Sequence, residues 1–172
     1  MLDERATSDH IEITQLLQRY FHALDWKDYA LLDRVFSTDA ELHYDMGAMG
    51  EGAKADLPTM VKQFDAFNRV FAFTQHIMGQ PLIDCDGDRA TSTTALRAIH
   101  VQVALDGSEN TWLVYGFYED LHRRTEAGWR IQKRYFRATH FDGKLLPPEK
   151  VESFPFPPWR AGGQSEVKVE VP

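Results

Sequence analysis

The sequence predicts an α+β fold built on a curved, mostly antiparallel sheet. Apolar residues recur at helical spacing through most of the first 69 residues and then alternate along longer segments, so helices precede strands. One alternating segment, "DAELHYD", interrupts the helices and supplies a strand between the second and third. The length, 172 residues, suits one domain with one sizeable core.

Residues 9 to 25 read as the first helix. Ser8 or Asp9 is placed to cap it, with Glu12 completing a capping box. Ile13, Leu16, Leu17, Tyr20, Phe21 and Leu24 form its apolar stripe. At ~100° per residue, Asp25 falls about 40° beyond Phe21, on the rim of that stripe. His22 falls on the far side, toward solvent. "KDYALLDRVF" reads as a second, short helix with Leu31, Leu32, Val35 and Phe36 inward. In "DAELHYD", Leu42 and Tyr44 share one face and His43 takes the other. "GAMGEGAKA" reads as a loop, and residues 56 to 69 as a third helix on Leu57, Met60, Val61, Phe64 and Phe67.

The remaining pattern is of strands. In "VFAFTQHIMG", His76 shares a face with Thr74 and Met78. "PLIDCDGDRATSTTALRAIHVQVAL" gives two strands joined by a turn, the second long and carrying His100. "DCDGDRA" has a superficial likeness to a calcium loop. Its twelfth position, counted from Asp84, is Ala95 rather than glutamate, so it reads as a hairpin turn. "NTWLVYGFYEDLHRR" and "GWRIQKRYFRATHF" are two more strands joined at Thr125 to Gly128. From Asp142 onward the composition shifts, and six of the eight prolines lie there. "FPFPPW" is too apolar for a free linker and is expected to pack on something. "SEVKVEV" alternates valine with charge, as an added edge strand would. The expected organisation is one α+β domain over residues 1–141 and a Pro-rich extension, 142–172, acting as a lid or a subunit contact.

Composition narrows the partners. Apolar residues make up 43% and charged residues 26%, an ordinary soluble balance. No apolar run approaches the ~20 residues of a membrane span, and the acidic N-terminus lacks a signal-peptide core. The protein reads as cytoplasmic, with no membrane partner. A net charge of -7 argues against nucleic acid. A lone cysteine, Cys85, excludes an internal disulfide and a cysteine-rich metal site. Nothing in the pattern requires a metal or a cofactor.

The candidates for chemistry are Asp25, His76 and His100, with Tyr20, Tyr44 and Arg137 around them. Tyr115, Met78, Phe73 and Trp26 are further candidates for substrate contact. A carboxylate beside an imidazole fixes its tautomer and stabilises its charged form, so the pair can take a proton from carbon. A second histidine can return it to a leaving hydroxyl, and tyrosine hydroxyls can polarise a carbonyl. Taken singly, each has a bland reading: a core histidine, a tyrosine with a bonded tip, an aspartate ending a helix, an arginine on a surface carboxylate. His10, His22, His43, His122 and His140 read as structural or solvated.

In order and spacing, "YFHALDWKDYALL", "LHYDMG", "TQHIMG", "RAIHVQV" and "GWRIQKR" resemble the SnoaL-like branch of the nuclear-transport-factor-2-like superfamily, within it scytalone dehydratase. The resemblance spans roughly residues 9 to 141. It implies a cystatin-like cone, a curved sheet wrapped by three N-terminal helices around a deep apolar pocket. It also implies an Asp25–His76 pair, His100 as a second histidine and Tyr44 as a carbonyl-polarising tyrosine. Departures are visible. The tyrosine that precedes the aspartate in scytalone dehydratase is Leu24 here, and its polar strand residues fall near Phe117 and Glu119. Tyr20, five residues before Asp25, instead resembles the arrangement of bile-acid dehydratase relatives, and Arg137 lies near their pocket arginine. Hexachlorocyclohexane dehydrochlorinase, another relative, also uses an Asp–His pair for elimination. The leading expectation is a cofactor-independent lyase, a dehydratase of a small cyclic or aromatic hydroxy-carbonyl compound. The alternatives are a ketosteroid-isomerase-like or polyketide-cyclase-like isomerase, and a non-catalytic binding or dimerisation module. The relatives imply a homo-oligomer, dimer or trimer.

Overall fold

The computed structural model describes residues 4–157 apart from residue 51. Helix α1 (Glu4–Asp25) leads through a 3-10 turn (Tyr29–Arg34) to β1 (Phe36–Asp45). A second 3-10 turn (Gly47–Met49) and the short β2 (Ala53–Asp56) precede α2 (Leu57–Asn68). Then follow β3 (Phe73–Met78), β4 (Leu82–Asp86), β5 (Arg89–Val103), β6 (Glu109–Thr125) and β7 (Gly128–Gly143). The strands form one sheet in the order β2-β1-β7-β6-β5-β3, with β4 also paired to β5. Among the described residues, only the β1–β7 pairing is parallel. The expected α+β architecture of three helical segments and a mostly antiparallel sheet is the observed one. The middle helical segment is a 3-10 turn, and the expected loop after β1 holds β2.

Helix α1 buries Ile13, Leu16, Leu17, Tyr20, Phe21 and Leu24, its apolar stripe. It starts at Glu4, so Ser8 and Asp9 lie inside the helix rather than capping it. Asp9 is buried because it accepts a hydrogen bond from the Trp129 indole at 3.1 Å and pairs with Arg124 at 2.6 Å. α2 begins where the Asp56 carboxylate accepts from the Thr59 amide, with proline in its first turn. Asp84 to Asp88 forms the β4–β5 hairpin, with Gly87 at φ +60°.

The C-terminus of α1 is a Schellman motif. The Lys27 amide donates to Leu24 O and the Asp28 amide to Ala23 O. This puts Lys27 at φ 53°, a conformation usually given to glycine. The Lys27 ammonium explains the choice: it donates to Phe71 O (3.1 Å) and Phe154 O (2.9 Å). That side chain ties the helix end to the corner before β3 and to the C-terminal segment.

The C-terminal segment packs, as its apolar composition requires. Gln102, fully buried, donates to Leu146 O and accepts from its amide. Val151 bridges to Ala104, and the Phe154 amide donates to Arg69 O. The edge strand expected in "SEVKVEV", and Trp159 of "FPFPPW", lie outside the described residues.

Candidate active site

Even-numbered residues of β3, β5 and β6 face inward against α1 and α2. Together with the two helices they enclose a cavity of about 280 Å³. His76, His100, Trp112, Tyr118, Tyr44 and Phe67 are among its lining residues, with Leu24 and Leu96 adding apolar surface. Phe67 and Gln63 of α2 are at once lining and solvent-exposed, so the mouth opens beside α2.

Asp25 holds His76 at two points. Its Oδ1 is 2.6 Å from His76 Nδ1, and its Oδ2 accepts the His76 backbone amide at 2.9 Å. The rim position of Asp25 makes this possible: Phe21, one turn back, stays in the core and stacks on the His76 ring. With Asp25 ionised, the short contact places the ring proton on Nδ1 and the lone pair on Nε2. His100 meets the His76 ring edge-on, at 5.6 Å between centroids. Burial first, and the neighbouring His76 second, lower the His100 pKa to about 3. His100 is therefore neutral at physiological pH, and its Nδ1 has no hydrogen-bond partner among the described residues.

A hydroxyl network lies across the cavity. Tyr20 Oη is 2.6 Å from Tyr44 Oη and 3.3 Å from Tyr118 Oη. Burial raises the pKa of all three phenols. Three O–H donors share two internal contacts, so one proton is left to donate elsewhere. Behind the rings is a buried ion pair. Arg134 Nε and Nη2 donate to the two oxygens of Asp120 at 2.8 and 2.6 Å, and both side chains are fully buried. The guanidinium lies 4.1 Å from the ring centres of Tyr20 and Tyr118. Burial opposes its charge, but the Asp120 carboxylate outweighs that and holds the Arg134 pKa well above its usual value.

The structure brings Asp25, His76, His100, Tyr20 and Tyr44 together, and places the other five candidates elsewhere. Arg137 is exposed on the outer face, over the Tyr135 ring. The reason is a bulge: Leu121 pairs with Lys133 but His122 with Ile131, leaving Gln132 extra. Parity along β7 flips there, from Trp129 and Ile131 to Arg134, Phe136 and Ala138. Tyr115 falls between the inward Val114 and Gly116 and contacts His140 instead. Phe73 is outward by the alternation of β3. Met78 faces inward but packs on the core beyond the cavity lining. Trp26 lies past the end of α1, half exposed, stacked on His22. Tyr118, Trp112 and the Arg134–Asp120 pair join the site without a motif to mark them in the sequence. Tyr118 and Asp120 share the alternation of Trp112, so β6 places polar groups on its inner face. Asn68, at the end of α2, also lines the cavity.

The fold is thus a mostly antiparallel sheet closed by helices over an apolar cavity, with the Asp25–His76 contact at its edge. The chain belongs to the SnoaL-like family: the model of the SnoaL-like domain matches residues 5–135. An uncharacterized protein of Mycobacterium tuberculosis (strain ATCC 25618 / H37Rv) is 34% identical over 136 residues, covering 78% of this chain and 88% of the relative. A solved structure of the Kfla4162 protein from Kribbella flavida is 29% identical with a TM-score of 0.71, over 80% of this chain and 95% of that one. Hexachlorocyclohexane dehydrochlorinase from Novosphingobium barchaimii LL02 shares the fold at 15% identity and a TM-score of 0.65, over 83% and 97% of the two chains.

Proposed function

We propose that this protein is a cofactor-independent lyase, a dehydratase acting on a small cyclic or aromatic hydroxy-carbonyl compound. The observation that carries the reading is the 2.6 Å contact between Asp25 and His76 at the edge of an apolar cavity. His76 Nε2 takes a proton from the carbon next to the carbonyl, and Asp25 compensates the imidazolium that forms. The enolate oxygen accepts a hydrogen bond from the spare hydroxyl of the Tyr20–Tyr44–Tyr118 network, which keeps its proton, with the Arg134 charge behind it. His76 then returns its proton to the departing hydroxyl. The C–H and C–O bonds break, a C=C bond forms and water leaves. His100, held neutral, serves as a hydrogen-bond donor to substrate oxygen rather than as the acid. A dehydrochlorinase shares the fold, and its name states an elimination, which supports the reading.

One observation keeps an isomerase as the second reading. With His100 neutral, His76 is the one group suited to both removing and returning a proton, which is also what an isomerase needs. Product mass separates the two, because dehydration removes one water and isomerisation removes nothing. The Asp25–His76 contact weighs against a purely binding or dimerisation role. The experiment is a screen of hydroxy-carbonyl compounds by mass spectrometry, followed by His76→Ala and Asp25→Asn on any substrate found. Near-full turnover by both folded variants would falsify this mechanism.

A further inference from the structure

Between α1 and the β6–β7 turn, away from the residues that line the cavity, a cleft of about 190 Å³ is lined by Arg19, Arg34 and Arg130. Glu12 is the one carboxylate among its lining residues, so the cleft carries a formal charge of about +2 in a chain whose net charge is -7. Elsewhere the described arginines commonly meet carboxylates: Arg5 and Arg124 on Asp88, Arg69 on Asp65, Arg123 on Asp39, Arg134 on Asp120. None of the three in the cleft takes part in an ion pair among the described residues. Like charges gathered with one carboxylate among three arginines repel one another, and an anion from outside would offset the excess.

The cleft is also ordered to receive one. Arg130 Nη1 donates to Ala127 O and Trp129 O at 3.0 and 2.8 Å, which fixes its guanidinium plane and leaves its other N–H groups free for a ligand. Gly128, at φ +93°, turns the chain so that this hairpin forms the cleft floor without a side chain in the way. Arg19 comes from α1 and Arg34 from the end of the 3-10 turn, so three separate elements converge. Burial first, then Arg19 and Arg34, lower the Arg130 pKa, as mutual repulsion requires. Guanidinium groups offer paired N–H donors that suit phosphate oxygens, and a phosphate dianion would offset the cleft's positive charge more fully than a single carboxylate.

We infer that the Arg19–Arg34–Arg130 cleft is a binding site for a phosphate group, free or carried as a phosphomonoester. It is separate from the catalytic cavity and does not depend on the reaction proposed above. The test uses the full chain and thermal unfolding, titrated with inorganic phosphate or phenyl phosphate against sodium chloride of equal ionic strength. Phosphate should raise Tm saturably in the wild type, and Arg34→Gln and Arg19→Gln/Arg34→Gln should abolish at least most of that rise. A response to both anions points to the phosphate group itself, and a response to phenyl phosphate alone to an ester ligand. Without phosphate, the double variant should be as stable as the wild type or more so, because repulsion is relieved. No rise beyond the chloride control, or an equal rise in the double variant, overturns the inference. So does a double variant that is less stable in chloride.

Discussion

Asp25 binds His76 through both of its oxygens, one on the imidazole at 2.6 Å and one on the backbone amide at 2.9 Å. The second contact fixes the strand against the helix end, so the first cannot drift with side-chain rotation. Asp25→Asn should preserve the amide contact while losing the carboxylate that stabilises a charged ring. Its expected effect is on turnover, a loss of ~10²–10⁴ on a verified substrate, with little change in Tm. His76→Ala should lose as much. Steady-state kinetics beside a thermal melt checks both.

Acid should unfold this protein through its buried histidines. His100 and His122 have folded pKa values of about 3 and about 4 against an ordinary 6.5, burial being the main cause in each. The folded values are depressed, so between pH 6.5 and 4 the unfolded chain takes up protons that the native state refuses. Stability is thus fully present above pH 6.5 and falls as pH drops through that window. Urea denaturation at pH 7 and pH 5 should show the loss. His122→Gln, which keeps a partner for Ser92 Oγ (now 2.8 Å from His122 Nε2), should flatten the slope.

The Arg134–Asp120 pair should be unforgiving of single changes. Arg134→Met leaves a buried carboxylate unpaired and should cost ~3–5 kcal/mol. A double change that also makes Asp120 apolar should recover much of it. A urea-denaturation cycle over the four proteins measures the coupling. An additive result would show that the pair is not acting as a unit.

Lys27 should govern how the C-terminal segment docks. Lys27→Met removes both carbonyl contacts yet keeps a side chain in the left-handed conformation. Amides near Val151 to Phe154 should then exchange faster with solvent while α1 stays protected. Lys27→Gly loses the same contacts but relieves a backbone cost of ~1 kcal/mol, so it should be the more stable of the two. Hydrogen exchange by mass spectrometry resolves the segment. Unchanged exchange in both variants would show that Gln102 and the Val151 bridge hold it alone.

Residues 144–157 pack near the ends of α2 and β5, and none of them lines the cavity. The extension from Asp142 is a candidate lid or subunit contact, with a homo-oligomer as the expectation, and a lid predicts an intact oligomer with poorer substrate binding after truncation. Truncation after Asp142 followed by light scattering tests both.

Much of this protein follows from its sequence alone. The period of the apolar residues marked both α-helices and the long strands, though not β2, and the ~100° step places Asp25 on the rim of its helix. Alternation along a strand also set the inward faces of His76 and His100, and it would have marked Tyr115 and Phe73 as outward. What the tertiary structure decided is where that local count fails. A single extra residue, Gln132, reverses the parity of β7, sending Arg137 to solvent and Arg134 beneath the tyrosines. Such a bulge depends on how two distant strands fit, which no periodicity within one strand records. The strained turn at Lys27 likewise makes sense only beside Phe71 and Phe154, residues that the folded chain alone brings to it.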